Sequence, residues 1–178
     1  MSITTSARDA LGGFRGTLVE PADAGYDAAR AVYNAMIDRR PALIARAAGA
    51  DDVTRAVTHA RESGLPLAVR GGGHNGAGLG TVDDGIVLDL GAMRGIDVDP
   101  LARTVRVGGG CTWGEVDRAT HEHGMATPSG IISTTGVGGL DERAAERAQG
   151  VPRRCGDAHS DLLVFVTGRA WTVGGGAS

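Results

Sequence analysis

Apolar and polar positions alternate in short blocks along this chain, and glycine separates the blocks. Between residues 51 and 63, Val53, Ala56, Val57 and Ala60 recur at helical spacing. Asp51 is placed to cap that helix and Gly64 to end it. A shorter helical pattern covers 26–37 (YDAARAVYNAMI), followed by a strand over 42–46 (ALIAR). Residues 67–70 (LAVR) and 86–90 (IVLDL) read as strands. Residues 96–99 and 104–107 read as an antiparallel pair across the turn Asp99-Pro100-Leu101-Ala102. Thr112 and Glu115 have capping-box spacing and predict a helix to about His123, stopped by Gly124. After Asp141 the pattern changes. DERAAERAQ reads as a short exposed helix, VPRRCGDAHSD as loop and LLVFVTG as a buried strand. If that strand pairs with the rest, it covers a sheet edge that would otherwise be open. The class is α+β or α/β.

Composition narrows this picture. At 178 residues the chain is one domain, or one and a fragment. Thirty residues are glycine without any Gly-X-Y period, which excludes collagen. Nineteen of the thirty lie between Gly64 and Gly139, in clusters that read as loops allowing close backbone approach to something. All 18 basic residues are arginine. That excludes a P-loop GK[ST] motif and a lysine nucleophile or Schiff base. The net charge of −3 is interspersed and gives no basic patch for nucleic acid. No apolar run reaches membrane-spanning length, and the start has no signal-peptide core. Two cysteines, Cys111 and Cys155, make no disulfide framework, so the expected location is cytoplasmic.

Two loops carry candidate chemistry. Gly71-Gly72-Gly73-His74-Asn75-Gly76 matches G-x-G-x-x-G and follows a strand, but AGLGTVDDG after it will not nucleate the helix a dinucleotide fold requires. A non-Rossmann anion nest of backbone N–H groups, assisted by Arg70, is one reading. A tight structural turn fits the pattern equally well. The second loop, Pro128–Leu140, places Ser133, Thr134 and Thr135 among Gly130, Gly136, Gly138 and Gly139. Hydroxyls and free N–H groups suit phosphate oxygens, although a polar surface loop is the simpler account of this stretch alone. Two such loops in one chain favour a shared diphosphate. His74, inside a glycine loop, is a candidate base, metal ligand or nucleophile. His121-Glu122-His123, Cys111, and Cys155 with His159 have no established zinc spacing, so no metal site is assigned.

Leu67–Asn75, Gly85–Leu90, the Arg94–Val107 hairpin, Gly108–Asp117 and Pro128–Leu140 stand in an order and spacing that strongly resemble the FAD-linked oxidases with a PCMH-type FAD-binding domain. The branch most similar is that of the berberine-bridge-enzyme-like and 6-hydroxy-D-nicotine-oxidase-like flavoproteins. The resemblance implies an α+β fold, a PCMH-type subdomain with a non-Rossmann mixed sheet and flanking helices, with residues 1–25 as an extension, 26–140 as the partial FAD-binding domain and 141–178 as a divergent tail. It implies FAD held at its diphosphate by Arg70, Gly71, Gly72, Gly73, His74, Asn75, Gly78, Ser133, Thr134, Thr135, Gly136 and Gly138. In many members the histidine at the position of His74 bonds covalently to the flavin 8α-methyl. The cysteine that adds a second bond in some members would fall near Ile132, so one bond at most is expected. The complete relative would oxidise a small alcohol, sugar or amine with oxygen as acceptor.

The chain departs from the family after Leu140. The usual TLGGG-type stretch, the substrate domain and its tyrosine base do not follow, and the expectation is a truncated reading frame with no catalytic residue. A non-catalytic remnant or nucleotide-binding module is the alternative, and a Rossmann-type NAD domain a remote third. Loops that lose half their cofactor contacts must still be ordered. The isolated chain is therefore expected to bind FAD weakly or not at all, and to produce no hydrogen peroxide from a panel of alcohols, amines and sugars. Stoichiometric flavin surviving acid precipitation, or peroxide formed with any substrate, would contradict this.

Overall fold

The computed structural model describes residues 11–127 and 129–139, together with the backbone of 161–166 and 169–172. The chain divides into two compact units between Met93 and Arg94. Each is α+β with its own four-stranded mixed sheet.

The first unit contains β1 (Thr17–Val19), α1 (Tyr26–Arg30), β2 (Leu43–Arg46), α2 (Ala50–Ser63), β3 (Leu67–Arg70) and β4 (Ile86–Asp89). The sheet order is β1-β2-β4-β3. β1 runs antiparallel to β2, while β2 and β3 both run parallel to β4, so that Ile44 and Ala68 lie opposite Val87. The strands alternate between two cores. Leu43, Ala45, Ile86 and Leu88 pack with Val53, Ala56 and Ala60 of α2. Ile44, Val87 and Ala68 pack with Tyr26 of α1. The central strand β4 is buried on both faces. This explains its continuous apolar run, a pattern typical of parallel strands covered on both sides.

The second unit contains β5 (Ile96–Asp99), β6 (Thr104–Gly108), α3 (Trp113–His121), β7 (Asp161–Val166) and β8 (Arg169–Thr172), in the sheet order β5-β6-β7-β8. β5 and β6 form the expected antiparallel pair. The Asp99 carboxylate closes their turn by accepting from the N–H groups of Leu101 and Ala102. Val105 and Val107 alternate inward against Trp113 and Val116 of α3. The strand expected in LLVFVTG forms and runs parallel to β6, with Leu162 opposite Val105. The expected helix over 141–149 lies outside the described residues. Among the described residues, no helix is long and apolar enough to cross a membrane.

Three elements differ from the sequence pattern, the first two through bonds to distant residues and the third through a local turn. The helix expected over 26–37 ends at Arg30, and Ala31 is extended with ψ 141°. The Tyr33 N–H bonds Gly73 O at 3.1 Å and the Asn34 side chain closes a turn onto Met36 N, which removes both from a helical ladder. Gly49, rather than Asp51, caps α2. Asp51 lies in the first turn and pairs with Arg15 at 3.0 Å. α3 ends at His121, two residues early, and the Gly124 N–H returns to His121 O.

Asp52 shows how the first unit holds its N-terminal segment. Its carboxylate is fully buried and accepts from the backbone N–H groups of Arg15, Gly16 and Ala48, each at 2.9 Å. Burial alone would raise its pKa, but the three backbone donors outweigh it and hold the carboxyl below its ordinary value. A group with a depressed folded pKa stabilises fully above its unfolded value of about 3.9 and loses that contribution as pH falls through the folded value. We therefore expect Asp52→Ala to cost about 3 kcal/mol at pH 7, as three backbone donors lose their shared buried acceptor. Urea denaturation should also show the wild type losing stability below about pH 4, with a smaller loss in the variant.

Candidate functional site

The first candidate loop is the connection from β3 to β4. Parallel neighbours cannot be joined by a tight turn and usually cross over through a helix. Here residues 71–85 cross without one. As the sequence predicts, no helix opens on Gly73–Gly76, which excludes a Rossmann arrangement.

Local bonds shape the loop. The Asn75 side-chain oxygen accepts from Ala77 N at 3.0 Å and Leu79 N at 3.1 Å, and its backbone carbonyl accepts from Gly78 N. Asn75 is thus the internal organiser of the loop. Gly78 has φ +73°, and a Cβ there would sit 2.7 Å from Ile37 Cγ2. Both the conformation and the space require glycine. Among the described residues, the N–H groups of Gly72, Gly73, Asn75 and Gly76 meet no hydrogen-bond acceptor. His74 is half-buried and its ring stacks on Tyr33, with centroids 4.0 Å apart and planes at 19°.

Arg70 lies beneath this loop. Its Cδ and Cγ lie 3.7 and 3.6 Å from where Cβ atoms on Gly73 and Gly80 would stand. The residue is 6% exposed. Its Nη2 donates to Asp89 Oδ2 at 3.0 Å and to Ala29 O at 2.7 Å. Asp89 is itself buried and also accepts from Arg46 Nε and Gly91 N. Half of the guanidinium is therefore committed to the sheet. Its Nη1 is buried without a hydrogen-bond partner. An orphaned buried donor of this kind calls for an explanation, and an anion is one. Open N–H groups, an unpaired guanidinium donor and glycine backbone able to approach a ligand all fit a diphosphate.

The second loop belongs to the second unit. Ser133 O and Thr135 O accept from the N–H groups of Gly114 and Trp113, at 2.8 and 3.0 Å, so this loop's carbonyls cap α3. Gly136 bridges Thr112 in antiparallel fashion. A Cβ on Gly138 would lie 2.8 Å from Gly109 O. Ser133 and Thr134 are exposed, Thr135 is half-buried, and Gly136 is buried. The capping box forms as expected, with Glu115 Oε2 accepting from Thr112 N at 2.8 Å. The Thr112 N–H bond, opposed by burial and aided by Arg94, holds the Glu115 carboxyl below its usual range. Cys111 is buried, and its thiol is pushed up by desolvation and by the Glu115 charge. Among the described residues, no three His, Cys, Asp or Glu side chains gather as a metal site.

Sequence reasoning missed Tyr33, Asn34 and Asp89. Asn34 was a signal, because asparagine in the middle of a helical pattern favours turns. So was Asp89, because a carboxylate within an apolar strand implies a buried partner.

Comparison with known proteins places these loops in context. Residues 41–145 match the family model described as FAD binding domain. (R)-6-Hydroxynicotine oxidase of Paenarthrobacter nicotinovorans is 38% identical over 126 residues, which is 71% of this chain and 28% of that protein. The crystal structure of 6-hydroxy-D-nicotine oxidase from Arthrobacter nicotinovorans superposes with a TM-score of 0.68 at 37% identity, covering 69% of this chain and 27% of that one. Wild-type BBE-like 1 of Physcomitrella patens gives 0.69 at 26% identity, covering 75% and 29%. The chain thus spans just over a quarter of the length of these relatives.

The two neighbouring loop glycines separate conformational need from ligand approach. Gly78→Ala should destabilise the first unit by about 2 kcal/mol, through the left-handed backbone and the contact with Ile37. Gly76→Ala, with open space around the added Cβ, should shift the melting temperature little. Thermal denaturation of the two variants side by side checks this.

Proposed function

The chain belongs to the FAD-binding domains of flavin-dependent oxidoreductases, with the PCMH-type fold, and from that premise we propose that the glycine loop between β3 and β4 holds the FAD diphosphate of an oxidase acting on a small alcohol, sugar or amine with oxygen as acceptor. The observation that carries this reading is the loop between β3 and β4. Its N–H groups at Gly72, Gly73, Asn75 and Gly76 are open, and Arg70 beneath it keeps one buried donor unpaired. Both features lie within the matched segment.

Each residue has a definable part. Gly71, Gly72 and Gly73 let the backbone approach phosphate oxygens without side-chain obstruction. Arg70 adds positive charge from below, held in place by Asp89. Asn75 and Gly78 fix the loop's shape. The second unit, taken by itself, carries hydroxyls of a kind that suits phosphate at Ser133, Thr134 and Thr135, while Gly136 and Gly138 keep that loop's path. When bound, FAD would supply hydride acceptance at its N5 and electron transfer to oxygen.

His74 is the proposed tether. Its imidazole nitrogen would hold the flavin through the 8α-carbon; that bond would release one proton from the carbon and one from the imidazole, with oxygen as the two-electron acceptor, reduced to hydrogen peroxide.

Two variants test this. Gly76→Asp places a carboxylate in open space beside the loop's N–H groups. It should weaken FAD affinity at least tenfold, about 1.4 kcal/mol, in a flavin-fluorescence titration while leaving the melting temperature unchanged. Unchanged FAD affinity in Gly76→Asp would argue against the diphosphate assignment. At saturating FAD the short chain should form acid-stable flavin only below stoichiometry; His74→Ala should abolish that fraction, and its persistence would remove the tether.

A further inference from the structure

The stretch that was expected to complete the first helix instead grips the loop on both sides of His74. Tyr33 N donates to Gly73 O at 3.1 Å, just before the histidine. Asn34 Nδ2 donates to Gly76 O at 3.0 Å, just after it. Asn34 is fixed in turn, because its side-chain oxygen accepts from Met36 N and its carbonyl accepts from Ile37 N. Between these anchors the Tyr33 ring lies on the His74 ring at 4.0 Å. Tyr33 is nevertheless 69% exposed. An aromatic ring left that far in solvent adds little to the core, so its contact with His74 is the notable interaction of its side chain.

We propose that Tyr33 is a positioning residue for His74. This rests on the reading of His74 as the FAD tether. The two backbone anchors fix where the histidine stands, and the stacked ring fixes the plane of the imidazole. Stacking engages a face of the imidazole, and the ring edge that carries both nitrogens takes no part in that contact. A nitrogen that must meet a carbon at bonding distance gains from a held plane, because misplacement of a reacting group by about 1 Å can cost on the order of 100-fold in rate. The phosphate-binding groups are separate from this contact, so the stack governs how fast the bond forms and not how tightly FAD is held.

The test uses the 178-residue chain with Tyr33→Ala, Tyr33→Phe and His74→Ala. The first readout needs no FAD. NMR resonances of the His74 ring protons carry the shielding of a stacked aromatic ring. They should move toward free-histidine positions in Tyr33→Ala and stay in place in Tyr33→Phe. The second readout is the rate at which the substoichiometric acid-stable flavin of this weakly binding chain appears at saturating FAD. We expect it to fall roughly tenfold or more in Tyr33→Ala, with FAD affinity unchanged, and to be kept in Tyr33→Phe. Resonances unmoved in Tyr33→Ala, an unchanged rate, or a Tyr33→Phe variant as slow as Tyr33→Ala would overturn the proposal. If acid-stable flavin persists in His74→Ala, it is the tether that fails, and the ring-proton shifts still decide whether Tyr33 holds the imidazole.

Discussion

A parallel crossover without a helix must find partners for its backbone from elsewhere, and this constraint organises the first unit. The partner is the stretch 33–42, which runs beside the loop and bonds it at successive points. Tyr33 meets Gly73, Asn34 meets Gly76, Arg39 meets Thr81, Arg40 meets Asp83 and Asp84, and Ala42 meets Gly85. Below, Asp89 and Ala29 O hold Arg70 in the sheet. The loop is therefore fixed from the side and from beneath, while a set of its N–H groups is left without internal acceptors. An irregular segment held by a rigid scaffold is the usual setting for a binding residue.

The second glycine loop uses a different logic. Its carbonyls are spent on the first turn of α3, satisfying N–H groups that a helix leaves open at its start. Its hydroxyl side chains remain toward the surface, with Ser133 and Thr134 exposed. The two loops look alike as glycine-rich text. One keeps backbone donors in reserve, and the other offers side-chain hydroxyls over a backbone already committed to capping.

Much of the fold was legible because its signals are local. The capping box at Thr112 and Glu115, the left-handed stop at Gly64 and the Asp99 turn all arise from bonds within a few residues. The strands β3 and β4 stood out by their apolar runs. The family resemblance and the FAD assignment rested on ordered blocks, and the match over 41–145 supports both. What escaped was non-local. Nothing near Tyr33 in sequence shows that its N–H is drawn to Gly73, forty residues on, so α1 looked longer than it is. Nor does Asp51 show that its neighbour Asp52 turns inward to hold Arg15, Gly16 and Ala48. Arg70 was read as a ligand group from its place before the glycines. Its commitment to Asp89 is visible only once β3 and β4 are paired.

The strand order of the first sheet has a consequence for how the chain acquires its structure. β4 is the last strand of its sheet in sequence, yet it lies between β2 and β3. Until Ile86–Asp89 has been made, those two strands have no shared neighbour, and both cores lack the central strand that their apolar residues close against. A nascent chain ending in the glycine loop would present two unsatisfied edges and an Arg70 without its carboxylate partner. Insertion of one short strand then completes the sheet, buries the arginine beside its carboxylate and draws the loop taut. Assembly of this unit is thus gated by its final four-residue strand, and sequence separation makes such closures slow compared with local hairpins.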